Sequence, residues 1–203
     1  MVDPEVAEPL RRFLGMLAPL PDEEWAALFR VMRRRVLKSG EHFVKAGGDP
    51  QPTAFVVKGL LKAWYTTRTG KEHIRVFLAE NTVAAAYVAL LRGDSVSEVN
   101  LTALEPTELL VFDYSAYVAR RARHWGWQQI GRIIAEQAYI LRERRQYELA
   151  VLSAEDRLAS FLEQFPGLAA RISQKDLACF LGMTPVSLSR IRGRAKKKKA
   201  GSS

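Results

Sequence analysis

Cysteine is almost absent from this chain of 203 residues: Cys179 stands alone, so no internal disulfide can form and no thiolate set exists to hold an iron–sulfur cluster. Its place inside an apolar helical pattern predicts packing. Histidine is scarce as well, and His42, His73 and His124 do not group with carboxylates as the metal ligands of a cupin-type oxygenase would. Neither a metal site nor haem ligation by His42 or His73 is expected. A Gly-rich phosphate loop, a nucleophile elbow and a HExxH pair are all missing, so the chain is not expected to be an enzyme. No apolar run approaches the roughly 20 residues that span a bilayer. The acidic, proline-containing start Met1-Val2-Asp3-Pro4-Glu5 lacks the basic and apolar regions of a signal peptide. The expectation is a cytoplasmic protein without a membrane partner.

What is abundant is positive charge, and it is unevenly placed. The formal net charge is +9, yet from Arg171 onward there are nine Lys or Arg against one acid, Asp176. The preceding 170 residues are close to neutral. A concentration of this kind is the electrostatic footprint of phosphate binding, in which neutralised phosphates release condensed counterions. The run Lys196 to Lys199 is less specific, because lysine-rich ends are often simply solvated.

Apolar content of 48% in a chain of this length accommodates a medium domain and a small one. Val6 to Leu17 and Asp22 to Met32 carry helical spacing, separated by Pro19 and Pro21. Between Val36 and Phe112 the texture changes to short β-type runs, at 54–58, 60–66, 73–78 and 109–112, punctuated by glycines. This predicts a compact β-barrel or roll. Alanine-rich Thr82 to Leu91 is expected to form a short helix beside a pocket.

Trp125 to about Leu152 reads as one long helix. Ile133, Ile140 and Tyr147 recur every seven residues, as do Ile130, Gln137, Arg144 and Val151, and this seam is the candidate dimer interface. Ser153 caps a following helix that ends near Phe165-Pro166-Gly167, the expected hinge.

Residues 172 to 192 have the pattern of two short helices joined by a tight turn. Ser173 is the candidate N-cap of a first helix burying Leu177, Ala178 and Leu181. Gly182 supplies a turn at positive φ, and Thr184 with Pro185 opens the second helix. With Leu188 and Ile191 inward, polar and basic side chains remain outside, as a helix probing a DNA major groove requires. The candidate DNA contacts are Ser173, Gln174, Thr184, Pro185, Val186, Ser187, Ser189, Arg190, Arg192 and Arg194.

The order of these parts, with Gly40-Glu41, Gly70-Lys71-Glu72, the segment Ala103 to Glu108 and the stretch Ile172 to Arg192, resembles the Crp/Fnr family of bacterial transcription regulators. The resemblance implies an α+β fold. Residues 1–122 would be a jelly-roll-like sensor domain of the cyclic-nucleotide-binding kind with flanking helices. Residues 123–152 would be the dimerisation helix, and 153–203 a helix-turn-helix domain with a truncated or absent wing. It further implies a homodimer on double-stranded DNA, reading a two-fold symmetric operator with half-sites roughly 34 Å apart, and RNA polymerase as a further partner.

The chain departs from that family where a cyclic nucleotide would bind. Ser97 and Glu98 stand where the family's nucleotide binders place an Arg-Ser or Arg-Thr phosphate clamp, and the short helix reads Ala84-Ala85-Ala86-Tyr87 in place of Gly-Glu. A carboxylate there repels phosphate. Tyr87, Arg92, Ser97 and Glu98 form the candidate effector pocket, with Arg92 the nearest cation. Cyclic AMP and cyclic GMP are not expected as effectors, and no other cofactor is predicted. The roll either takes another small molecule or serves as a dimer scaffold. Pro185-Val186 replaces the Arg-Glu of the best-known relatives early in the recognition helix, while Arg190 matches their second base-reading arginine. The competing reading is a protein-interaction scaffold with an incidental basic tail.

Overall fold

The computed structural model describes Val2 and residues 4–200, with side chains for Val2 and residues 5–194. Helices α1 (Pro4–Leu17) and α2 (Asp22–Val31) open the chain, broken apart by Pro19 and Pro21. Ala7, Leu10 and Leu14 line the buried face of α1 at helical spacing, and Trp25 and Leu28 that of α2. Asp22, Glu23 and Glu24 occupy the first turn of α2, where the helix dipole favours negative charge.

Eight strands follow: β1 (Arg33–Leu37), β2 (His42–Val44), β3 (Pro52–Lys58), β4 (Leu61–Thr66), β5 (Glu72–Leu78), β6 (Val83–Ala84), β7 (Asn100–Ala103) and β8 (Thr107–Asp113), with the short helix α3 (Tyr87–Arg92) between β6 and β7. They form two four-stranded sheets, ordered β1-β8-β3-β6 and β2-β7-β4-β5, which is a jelly-roll arrangement.

Strand β3 is apolar on both faces for a specific reason. Ala54, Val56, Leu109 and Val111 pack into a core between the sheets, whereas Phe55 and Leu110, paired across β3 and β8, point the other way into a second core with Leu10, Leu28 and Trp127. A sheet covered on both sides has no solvent face and therefore no alternation.

The alanine-rich segment departs from its expected helix. Val83 and Ala84 pair with Phe55 and Ala54, and Val56 donates its N–H to the Thr82 carbonyl at 3.0 Å, so edge pairing with β3 overrides the helical preference of alanine. Helix begins only at Tyr87.

Four further helices continue the chain: α4 (Tyr114–Arg121), α5 (Trp125–Val151), α6 (Ala154–Gln164) and the single turn α7 (Leu168–Arg171), which the sequence pattern did not announce. After α8 (Gln174–Phe180), the last helix, α9 (Pro185–Ala200), runs well past Arg192. No strand follows it among the described residues.

The chain divides into two compact units, Met1–Tyr65 with Arg75–Ala138, and Thr66–Ile74 with Tyr139–Ser203. The second is built around Leu158, Phe161, Leu177, Ala178, Phe180 and Leu188, all buried. Phe161 meets the Phe180 ring edge-on with centroids 5.5 Å apart. Among the described residues no helix is long and apolar enough to cross a membrane.

Candidate functional site

The α8–turn–α9 segment is held by the residues the sequence marks. Ser173 Oγ accepts from the Asp176 N–H at 3.0 Å, and Thr184 Oγ1 accepts from the Ser187 N–H at 3.1 Å, so both helices carry side-chain N-caps. Gly182 sits at φ +65° in the turn, and the Met183 N–H closes onto the Ala178 carbonyl at 3.0 Å. Leu188 is completely buried, which fixes the roll of α9.

Val186, Ser189 and Arg190 consequently share one exposed face of α9, continued by Gly193, whose missing side chain leaves open space. Thr184 and Pro185 are exposed at the mouth of the helix. Ser173 and Gln174 lie exposed at the start of α8, and the Gln174 amide donates to the Pro185 carbonyl at 3.2 Å, joining the two helix entrances. Ser187 and Arg192 are half-buried to the side. Arg194 is exposed but pairs with Glu155 at 3.2 Å, a surface contact worth about 0–1 kcal/mol that a phosphate can displace. The side chains of Lys196 to Lys199 lie outside the described residues.

Behind this segment is a polar support that spacing alone could not reveal. Arg157 of α6 donates from Nη1 to the Leu152 carbonyl at 2.7 Å and from Nε to the Leu181 carbonyl at 2.8 Å, clamping the end of α5 to the turn. Glu148 accepts from Ser160 and from Gln164, each at 2.8 Å, and from Arg144 at 3.4 Å. Burial alone would raise the Glu148 pKa; these hydrogen bonds and the nearby Arg145 charge outweigh it and hold the carboxyl below its ordinary value. Arg145 itself lies over the Phe180 ring at 4.2 Å, and burial lowers its pKa.

The heptad residues of α5 divide into two groups. Ile130 is buried in its own chain's core beside Trp127, so it is withdrawn from the predicted seam, and Ile133 is half-buried. Gln137, Ile140, Arg144, Tyr147 and Val151 are exposed, with Ile140 at 62% and Val151 at 61% exposure. Large apolar groups left in water along one stripe are the unusual feature here.

In the roll, Tyr65, Arg75, Tyr87, Ser97 and Glu98 line a cavity of about 10 Å³. That is room for about one water molecule. Ser97 is buried and already used: its Oγ donates to the Val99 carbonyl at 2.8 Å and accepts the Val99 N–H at 3.1 Å. Arg92 does not reach in. It is exposed and paired with Asp94 at 3.2 Å and Glu98 at 3.9 Å. The cation in the lining is instead Arg75 of β5, which donates to the Tyr65 hydroxyl at 3.4 Å. Strand β6 and helix α3 separate it along the chain from Ser97 and Glu98, which is why position along the chain did not point to it. His42 shares a 3.0 Å hydrogen bond with Thr102, and burial, with Lys45 and Lys62 nearby, lowers its pKa. Among the described residues no group of three His, Cys, Asp or Glu could hold a metal ion.

Residues 34–124 match the cyclic nucleotide-binding domain family. No curated protein matches the chain in sequence. Among solved structures it is similar to FixK2 from Bradyrhizobium japonicum, at 15% identity and a TM-score of 0.73, covering 83% of this chain and 86% of that one. It is also similar to CLP of Xanthomonas campestris, described as a c-di-GMP responsive global regulator, at 15% identity and a TM-score of 0.69, covering 88% and 93%. A protein from Eubacterium rectale described as a transcriptional regulator of the Crp/Fnr family aligns at 15% identity and a TM-score of 0.71, covering 88% and 85%.

Proposed function

We propose that this chain, which carries a cyclic nucleotide-binding domain and shares the fold of Crp/Fnr regulators, is a sequence-specific DNA-binding transcription regulator. The observation that carries this reading is the exposed face Val186–Ser189–Arg190 on a capped helix, inside the segment that holds most of the chain's net positive charge. Arg190 takes the role of base reader, since a guanidinium bonds guanine O6 and N7 in bidentate fashion, and Val186 suits a thymine methyl. Arg192, Arg194 and the Lys196–Lys199 run supply phosphate contacts, with Ser173 and Gln174 holding the backbone across the groove.

The regulator acts as a homodimer. Pairing of two α5 helices along Gln137, Ile140, Arg144, Tyr147 and Val151 removes the exposed apolar stripe from water and sets two recognition helices on a palindromic operator. Three parts then share the work: a sensor domain over 1–122, a dimerisation helix over 123–152 and a reading head over 153–203. Cyclic AMP and cyclic GMP do not control it, because the roll cavity admits about one water and Ser97 and Glu98 offer no clamp for a cyclic phosphate. The protein works in the cytoplasm, without catalysis, and engages RNA polymerase at its promoters.

Fluorescence anisotropy with an operator and a scrambled duplex tests this reading. Affinity for both falls steeply between about 50 and 200 mM salt, and Arg190→Ala removes roughly 1–3 kcal/mol of discrimination while leaving scrambled binding nearly unchanged. Salt-insensitive binding, or equal losses on both duplexes, would point to a protein-interaction scaffold.

A further inference from the structure

Between α3, α4 and the N-terminal half of α5 lies an open cavity of about 580 Å³, against about 10 Å³ inside the roll. Its size is within the range of small-molecule sites. Tyr87, Tyr117, Arg121, Gln128, Gly131 and Arg132 contribute to its walls, and none of the described lining residues is acidic.

The walls are held in place. Gly131 lets Tyr117 lie directly against α5, since a Cβ at 131 would overlap the Tyr117 hydroxyl, which donates to the Trp127 carbonyl at 3.3 Å. The Tyr114 ring and the Trp127 edge fix the Tyr117 ring from two sides, with centroids 5.5 and 6.5 Å away. Arg121 lies over that ring, its Cζ 5.8 Å from the centroid. Arg132 is steadied by Gln129 at 2.7 Å and Glu136 at 2.6 Å. Burial raises the pKa of both Tyr87 and Tyr117.

We propose that this cavity is a binding site for a small aromatic carboxylate, its ring against the tyrosine side chains and its carboxylate held by Arg121, with Arg132 at the rim already paired with Glu136. Guanidinium groups match a carboxylate in charge and geometry, and phenol rings with Val118 and Ala135 offer apolar surface to a flat ring. The site stands on this geometry and does not rest on DNA binding.

Ligand-observed NMR on the full chain, with benzoate and its neutral analogue benzamide as probes, tests the site. Benzoate binds with a dissociation constant on the order of 1 mM, as suits a fragment of this size. Benzamide binds at least about tenfold more weakly, and Arg121→Gln weakens benzoate by about tenfold with the melting temperature unchanged, because Arg121 is exposed. Arg121→Lys falls between. Absence of benzoate binding, equal binding of the two probes, or benzoate affinity unaffected by Arg121→Gln would each overturn the proposal.

Discussion

The Glu148 carboxylate of α5 accepts a 2.8 Å hydrogen bond from the Ser160 hydroxyl of α6, and the same oxygen accepts the Gln164 amide at 2.8 Å. This is the joint by which the last turns of the long helix hold α6. Glu148 is buried, and truncating it removes the carboxylate that lies 3.7 Å from the Arg145 guanidinium. Glu148→Ala is expected to cost about 3 kcal/mol in chemical denaturation, and Glu148→Gln substantially less, because its carbonyl still accepts.

The same carboxylate sets an acid dependence. Its folded pKa is depressed, so its stabilisation is fully present above the ordinary carboxylate value of 4.5 and is lost as pH falls through the lower folded value. Melting temperatures measured down through pH 4 should fall less for Glu148→Gln than for the parent chain.

Gly182 occupies the left-handed region at φ +65°, and a Cβ there would come within 2.8 Å of Leu149 Cδ2. Gly182→Ala therefore combines backbone strain with a clash. The expected loss is about 1–2 kcal/mol of stability, checked by urea unfolding, with DNA affinity reduced in parallel.

Dimerisation through α5 predicts a concentration-dependent sedimentation profile. The double substitution Ile140→Glu and Tyr147→Glu places like charges along the exposed stripe and should yield monomer at every concentration, with the melting of each unit little changed because both positions are exposed.

For the roll, addition of cyclic AMP or cyclic GMP should leave the melting temperature within about 1 °C of the unliganded value. A nucleotide at about 100 times its dissociation constant would contribute about 2.7 kcal/mol and shift it by several degrees.

Features set by neighbours in the chain were legible before the structure. The caps Ser153, Ser173 and Thr184, the positive-φ turn at Gly182 and the long α5 all depend on residues within a few positions of one another. What depended on distant partners was not. The pairing of Ala84 with Ala54 turns an alanine run into a strand, the burial of Ile130 beside Trp127 takes it out of a heptad pattern, and Arg75 enters the roll cavity from a strand remote from Ser97. The candidate DNA face was legible because amphipathic spacing and local charge sufficed. The cavity under Tyr117 was not, because α3, α4 and α5 must first come together to form it.

Selection of bound sequences from a random duplex pool by the purified chain, repeated with Arg190→Ala, is the most direct test of sequence-specific DNA reading. The account predicts enrichment of a palindrome with half-sites about one helical turn apart, weakened in the variant at one symmetric pair of positions. A pool that stays random for the parent chain, or a palindrome that Arg190→Ala enriches equally well, would contradict it.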